Sequence, residues 1–500
     1  MKVDRKILAG QSLFPLMVLL GLAALVYTRT FGATWTYDDF PVIVDNPDIR
    51  SIGAFLKNSY PGRPLREITY LLDYALFGYQ PAGWHLQQIF WHGLNGWLVF
   101  RLATALQLNR FGRWCAALLF LLHPLQVEVV ANLSHRKDAL ATACCLVGIL
   151  AYLRYFHGRQ WRWLLVAAVA WGLGLAAKQT AVVLPLLFLA YEAVFLPPAQ
   201  RLLLRRWWPW LTLLALAGAG VGAWFFFFGG LAEYTQAWRG LLVAKSNYFG
   251  PAALFLYPLV MIKSWAFMAL KLFWPQQLAL EYTIAVPGGM TDPFLLGGCL
   301  GLFVLVGVFF WSWRHCRSVF FGLSWACFFW VPVSNLWPLV YLAADRYWYT
   351  PMAGLALVAG HLAGRLPDRW WRWTGTAIVL MVFGILSWQQ TAVWKNPEAL
   401  WTNAYHVNPN STFTLNNLGN VNLLKGDLIA ARRFYTESVA LNPTNGPAHF
   451  NLGIIFEQQG ELDGALAHYQ QFLRLDSPLY RNEAATLRRR LALQYGVRLN

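Results

Sequence analysis

The sequence predicts an all-α polytopic membrane protein of about eleven transmembrane helices, closed by a short helical-repeat solenoid. Three observations predict it. The chain is 57% hydrophobic and 13% charged, where soluble domains carry roughly 25% charged residues. Apolar runs near the ~20 residues needed to cross a bilayer recur through residue 390. Beyond them the runs stop, and the chain begins to repeat itself.

The runs place spans near 8–27, 86–106, 114–131, 138–156, 163–177, 180–196, 208–228, 294–312, 318–337, 350–364 and 374–390. No small-residue cleavage site follows the first, so it reads as a retained anchor. Basic residues fall in short clusters between runs: Arg110/Arg113, Arg154/Arg159/Arg162, Arg201/Arg205/Arg206, Arg314/Arg317 and Arg365/Arg369/Arg372. Cytoplasmic loops accumulate Lys and Arg because such loops resist translocation. Lys2, Arg5 and Lys6 therefore put the N-terminus in the cytoplasm, and the other clusters mark further inner loops. This patterning accounts for the net charge of +17 without nucleic acid. The stretch 251–275 is the exception. Pro258 interrupts it, and Lys263 and Lys271 fall on nearly one helical face. It reads as a helix lying in the outer interface with its lysines toward headgroups, since a crossing there would reverse every later basic cluster. The membrane domain is thus 1–392, with a first outer loop at 28–85. The six cysteines sit inside or beside apolar runs, so no disulfide framework is implied.

Residues 393–500 form a second domain. "LNNLGNVNLLKGDLIAARRFYTESVALNP" superposes on "HFNLGIIFEQQGELDGALAHYQQFLRLDSP" at an offset of 34, pairing Gly419 with Gly453, Gly426 with Gly460 and Tyr435 with Tyr469. That period, with Leu-Gly, a mid-repeat Gly and a terminal Pro, is the tetratricopeptide signature. Repeats fall near 412–445 and 446–479. A half repeat precedes them, with Trp401 and Pro409 in the places of Tyr435 and Pro443, and an arginine-rich capping helix follows at 482–496. Such repeats bind or scaffold partners and carry no chemistry.

With this topology the outer face collects the ionisable residues. Asp38 and Asp39 open the first outer loop. His123, Glu128, His135, Arg136, Lys137 and Asp138 lie in the next turn, Lys178 in a third, and Asp345 and Arg346 in the last. Charges at membrane depth are expensive and usually face an interior or a cavity. Cations gathered at one bilayer face suit a lipid-linked phosphate, and a carboxylate beside them suits a general base. Each also has a structural reading. The aspartates of "TYDDFPVIVDNPDIR" can cap turns, Arg136, Lys137 and Lys178 can snorkel, and His123 can hold a helix end. No HExxH or paired CxxC occurs.

The segments "DDFPVIVDNPDI", "GRPL", "FLLHPLQVEVVANLSHRKDALA", "LAAKQTAVVLPLL", "SNLWPLVYLAADRYWYTP" and "EALWTNAYHVNPNSTFTLNNLGN" occur in this order. Together they resemble the transmembrane and tetratricopeptide-repeat protein O-mannosyltransferases, within the GT-C class of polyprenyl-phosphate-sugar glycosyltransferases. The resemblance implies a catalytic acidic pair at Asp38 and Asp39. It also assigns substrate-binding roles to Asp345 and Arg346, to Arg136 and Asp138, and to Lys178, beside His123 and Glu128. "AKQT" carries Gln179 where the family segment usually has an acid, and the repeat array is much shorter than in the animal members.

What the resemblance implies is inverting transfer of a monosaccharide, mannose by inheritance, from a polyprenyl-phosphate donor. The acceptor would be a hydroxyl, of protein Ser/Thr or of a glycan, docked by the repeats. Asp39 or Asp38 would take the acceptor proton, and Arg346, with Arg136 or Lys178, would stabilise the leaving phosphate. A divalent cation near Asp38/Asp39 stays open, since the class contains members of both kinds. The active face and the repeats would be periplasmic in a bacterial inner membrane, or lumenal in a eukaryote. The alternative is an inactive membrane-anchored scaffold whose repeats recruit envelope partners.

Overall fold

Every expected span among the described residues is helical, and no β-strand occurs among them. The computed structural model describes residues 13–58, 63–204, 253–336, 339–475 and 480–495. The expected span 208–228 and the basic residues Lys2, Arg5 and Lys6 lie outside these. The chain divides into two compact units, Met1–Asn396 and Pro397–Asn500.

In the first unit α1 (Phe14–Val26) leads into the long first loop. This loop holds α2 (Ile52–Asn58) and α3 (Pro64–Phe77) before α4 (Pro81–Ala105) begins. Then come α5 (Arg110–Leu122), α6 (Val127–Ala131), α7 (Arg136–Gly158), α8 (Arg162–Ala177), α9 (Leu184–Phe195), α10 (Ala253–Phe273), α11 (Pro293–His315), α12 (Arg317–Trp330), α13 (Tyr349–Arg365) and α14 (Trp370–Gln390).

Among the described residues four helices are long and apolar enough to cross a membrane: Leu133–Gly158, Leu256–Phe273, Pro293–His315 and Trp370–Trp394. Arg110–Leu122 with Pro124–Ala131 makes a fifth if the bent pair counts as one span. The expected number, about eleven, therefore exceeds what helix length alone supports. Several apolar runs are broken by proline or end in short 3₁₀ turns, leaving helices such as Arg162–Ala177 and Arg317–Val333 below spanning length. The bend in the α5–α6 pair is 52°. It occurs at Pro124, which has no N–H to continue the ladder, and the His123 ring caps the break by accepting from Leu125 N at 3.2 Å.

Glycines set how closely α12, α13 and α5 approach. A side chain at Gly354 would collide with the carbonyl of Gly322, and one at Gly360 with that of Gly112. Such small-residue faces let membrane helices pack backbone to backbone, and they seat α13, whose first residue follows the Asp345–Trp348 turn.

Helix α10 is long and apolar enough to cross, and it packs against α11, where a side chain at Gly298 would collide with the carbonyl of Ile262. Tyr257 and Trp265 donate to the carbonyls of Asn335 and Ser334, just after α12. Leu272 O meets His123 Nε2 at 2.9 Å, at the end of α5. Its lysines differ from expectation. Lys263 Nζ is 2.7 Å from Asp292, the cap of α11, and Lys271 Nζ donates to Gln276 O at 2.5 Å. Both are consumed by protein partners rather than left for headgroups.

The second unit is a solenoid of α15 (Pro397–Val407), α16 (Thr412–Leu424), α17 (Leu428–Leu441), α18 (Gly446–Gln458), α19 (Leu462–Arg474) and α20 (Arg481–Tyr495). Ser411, Asp427 and Asn445 cap three of these helices through side-chain oxygens. Gly426 and Gly460, at φ +80° and +79°, close the C-terminal ends of α16 and α18. Gly419 and Gly453 sit against the rings of Tyr435 and Tyr469, where a Cβ would collide. Gly453→Ala is therefore expected to destabilise the repeats by about 1–3 kcal/mol, the usual cost of overpacking. Thermal unfolding of the full chain, followed by a probe in the repeats, checks this; an unchanged midpoint contradicts it.

Candidate functional site

The site begins with a turn. Tyr37 adopts φ +45°, a left-handed conformation that costs a non-glycine residue roughly 1–2 kcal/mol. Asp39 N donates to Thr36 O at 2.9 Å. The Asp39 side chain closes the same turn, Oδ2 accepting from Thr36 N at 3.1 Å and from Thr36 Oγ1 at 3.3 Å. Its other oxygen accepts from Ser134 N at 2.9 Å, fastening the loop to the residues before α7. Asp39 is 1% exposed. Burial pushes its carboxyl up to about 7 against the pull of these donors. Expected as half of a catalytic pair, Asp39 instead has every oxygen committed to holding the turn.

The neighbouring Asp38 is left half-buried at the tip. Burial raises its carboxyl above the ordinary range, while the charges of Lys137, Arg346 and Arg66 and a hydrogen bond with Tyr37 draw it down. Tyr37 Oη lies 2.6 Å from Tyr341 Oη, tying the first loop to the last. Asp45 is exposed, and the turn that follows is capped by Asn46, whose Oδ1 accepts from Asp48 N at 3.0 Å.

Around Asp38 stand cations from three elements. From α3, Arg66 Nη2 is 2.6 Å from Glu67 Oε1, and Asn46 Nδ2 holds the other Glu67 oxygen at 3.0 Å. From the start of α7, Lys137 has no carboxylate within ion-pair distance among the described residues; Arg63, Arg66, Asp138 and Lys178 lie within its electrostatic reach. From the last loop, Arg346 is held at two points by Glu128. Nη1 is 2.5 Å from Oε1, and the Arg346 backbone N is 2.8 Å from Oε2. Its guanidinium carbon lies 4.6 Å over the Tyr341 ring. Glu128 is 2% exposed, so it is an anchor for the arginine and not an open ligand.

Successive residues at the start of α7 point about 100° apart, and this divides "HRKD" among different tasks. Arg136, expected near the phosphate, is fully buried on the other side. It pairs with Asp73 of α3 and donates to Gln88 Oε1 at 3.1 Å, Gln87 Oε1 at 2.8 Å and Trp84 O at 3.0 Å. It clamps α3 and α4 to α7, and Lys137 takes the place facing Asp38. Asp138 pairs with Lys178, as an acid–base couple within the protein. His135 sits between Glu128 and Asp138, 3.6 Å from each. His123, also expected in the site, spends both ring nitrogens on Leu125 N and Leu272 O and holds the bent helix. Asp345 is 3% exposed and accepts from Tyr282 Oη at 2.7 Å, bracing the loop after α10. Burial first, and the charge of Glu128 second, raise it well above the carboxylate range.

Sequence reasoning omitted Arg63, Arg66, Glu67, Tyr37 and Tyr341 from the site. The signal for the first three was the charged string "GRPLRE" in the first outer loop. The tyrosines carry no such signal.

The residues do not fit a divalent cation at Asp38/Asp39. Both Asp39 oxygens already accept from N–H and O–H donors, and the groups around Asp38 are cations. Among the described residues no three His, Cys, Asp or Glu side chains converge as metal ligands.

Residues 68–224 match the family model described as dolichyl-phosphate-mannose-protein mannosyltransferase, and residues 434–467 match a tetratricopeptide repeat model. Over 86% of its length the chain is 24% identical to Protein O-mannosyl-transferase Tmtc1 of Drosophila melanogaster, covering 62% of that protein. It is 21% identical to Protein O-mannosyl-transferase TMTC3 of Homo sapiens over 89% of its own length and 53% of the relative's. The chain thus spans between half and two thirds of the length of these two relatives. Among solved structures it resembles ArnT from Cupriavidus metallidurans bound to undecaprenyl phosphate. That likeness has a TM-score of 0.39 and 17% identity, and it covers 96% of this chain and 80% of that one.

Proposed function

We propose that this chain, a relative of the protein O-mannosyl-transferases, moves a monosaccharide from a polyprenyl-phosphate donor to a hydroxyl acceptor at the outer face of a membrane. The observation that carries the reading is Asp38, half-buried at the tip of a strained turn among Lys137, Arg66 and Arg346. A carboxylate so placed accepts the acceptor's proton as the hydroxyl attacks the anomeric carbon, and the cations stabilise the charge developing on the departing phosphate. Asp39 is a positioning residue. Attack from the face opposite the phosphate inverts the anomeric centre, and the product phosphate stays on its lipid. A donor whose tail lies in the bilayer accounts for chemistry at the ends of apolar helices. Mannose and a protein acceptor are carried over from the names of the relatives; a Ser/Thr hydroxyl docked by the repeats is our reading, and the loop charges support repeats on the outer side of the membrane. Transfer from a synthetic polyprenyl-phosphate mannose to a Ser/Thr peptide, by purified protein in detergent, tests the reading. Equal transfer by wild type and Asp38→Asn would demand another base, and no transfer by folded wild type would favour a scaffold.

The pH profile offers a separate check. Asp38 must be ionised to accept a proton, so the rate falls as pH drops through its pKa. Lys137 lowers that pKa, and Lys137→Gln is expected to move the acid limb of kcat/KM to higher pH. A limb that stays put, or moves down, separates Asp38 from the base or Lys137 from Asp38.

A further inference from the structure

At the opposite end of the bundle a crevice of about 780 Å³ opens between α5 and α14. Helix α13 starts beside Arg346 and runs 17 residues, about 25 Å at 1.5 Å per residue, before Gly364 O accepts from Asn109 Nδ2 at the start of α5. The crevice, lined in part by Asn109 and Arg110, is therefore remote from Asp38. The two helices meet on either side of it, Phe111 against Trp373 at 4.5 Å and Ser387 Oγ donating to Leu122 O at 2.8 Å.

Its floor is apolar, with Phe111, Trp114, Leu118 and Leu380 along it. Its mouth is basic. Residues 105–114 and 361–373 carry Arg110, Arg113, Arg365, Arg369 and Arg372 against a single acid, Asp368. The Asp368 carboxylate is already taken, pairing with Arg372 and accepting from Trp373 Nε1 at 3.0 Å. Arg110 and Arg369 are exposed and form no ion pair among the described residues. Both α5 and α14 begin here, so their positive dipole ends face the same place.

We propose that this crevice binds an anionic glycerophospholipid, its phosphodiester at Arg110 and its acyl chains along Phe111, Trp114 and Leu118. Basic pockets between membrane helices hold anionic headgroups in this way. The surplus of arginine repels the ammonium of a zwitterionic lipid, which makes charge the selecting feature. Bound there, the lipid fills the gap that protein packing leaves between α5 and α14.

Native mass spectrometry of the purified full chain tests this with three probes in turn: phosphatidylglycerol, phosphatidylcholine and undecaprenyl phosphate. Phosphatidylglycerol is expected to be retained about tenfold over phosphatidylcholine, with Arg110→Glu abolishing the preference and Arg110→Lys keeping it. Leu118→Trp, which fills the floor, should lower retention while leaving the thermal midpoint within a few degrees. Equal retention of the two phospholipids, or an Arg110→Glu protein that keeps the preference, overturns the proposal. So does an Arg110-dependent displacement of phosphatidylglycerol by undecaprenyl phosphate, which would make the crevice a site for the polyprenyl carrier. No step uses sugar transfer, so the outcome is independent of the function proposed above.

Discussion

Asp38→Asn is expected to lower sugar transfer by about 10²–10⁴, the usual worth of a positioned general base, without loss of folded protein. The amide is nearly isosteric and keeps the Tyr37 contact, but it cannot take a proton. Asp39→Asn should behave differently. An amide presents one acceptor where the carboxylate presents two, so its NH₂ must face the N–H of Thr36 or of Ser134. A buried donor left unsatisfied costs about 1–3 kcal/mol, and the loop carrying Asp38 loosens. Asp39→Asn therefore lowers thermal stability and activity together, whereas Asp38→Asn lowers activity alone. Asp45→Asn and Asp48→Asn should stay within a few-fold of wild type. Transfer normalised to folded protein, with melting curves for all four, makes the comparison. If Asp39→Asn is inactive yet as stable as wild type, the roles of the two aspartates are exchanged.

The second large effect is expected at Arg346. Arg346→Gln removes a cation facing Asp38 and also strands Glu128, which is 2% exposed. Breaking one partner of a buried ion pair costs about 3–5 kcal/mol because the other charge stays behind. The single variant should thus be both unstable and inactive, and cannot tell the two roles apart. Adding Glu128→Gln removes the stranded charge. The double variant is expected to regain most of the stability while transfer remains low, because nothing replaces the arginine beside the donor phosphate. Recovery of transfer along with stability would reduce Arg346 to a structural partner of Glu128. Arg346→Lys keeps charge but loses the planar fork that spans both Glu128 and the site, and should fall between.

The sequence by itself determined the helical class, the repeat tail and the neighbourhood of the charged cluster. Each of these is written in local pattern. Apolar runs report a membrane solvent, the spacing of Gly419 and Gly453 reports a helical pair packed ring against glycine, and charges beside apolar runs report a shared face. Roles within that face were decided only by the tertiary structure. Asp38 and Asp39 are adjacent and chemically identical, and what separates them is Ser134, 95 positions along the chain from Asp39, whose N–H claims one carboxylate. Arg136 and Lys137 are likewise adjacent cations, separated by one helical step. That step turns Arg136 toward Asp73 and Gln88 and leaves Lys137 toward Asp38. Burial and partner choice depend on which distant segments arrive beside a side chain. Here α3 and the turn after α12 are the segments that arrive, and a linear pattern holds no record of them.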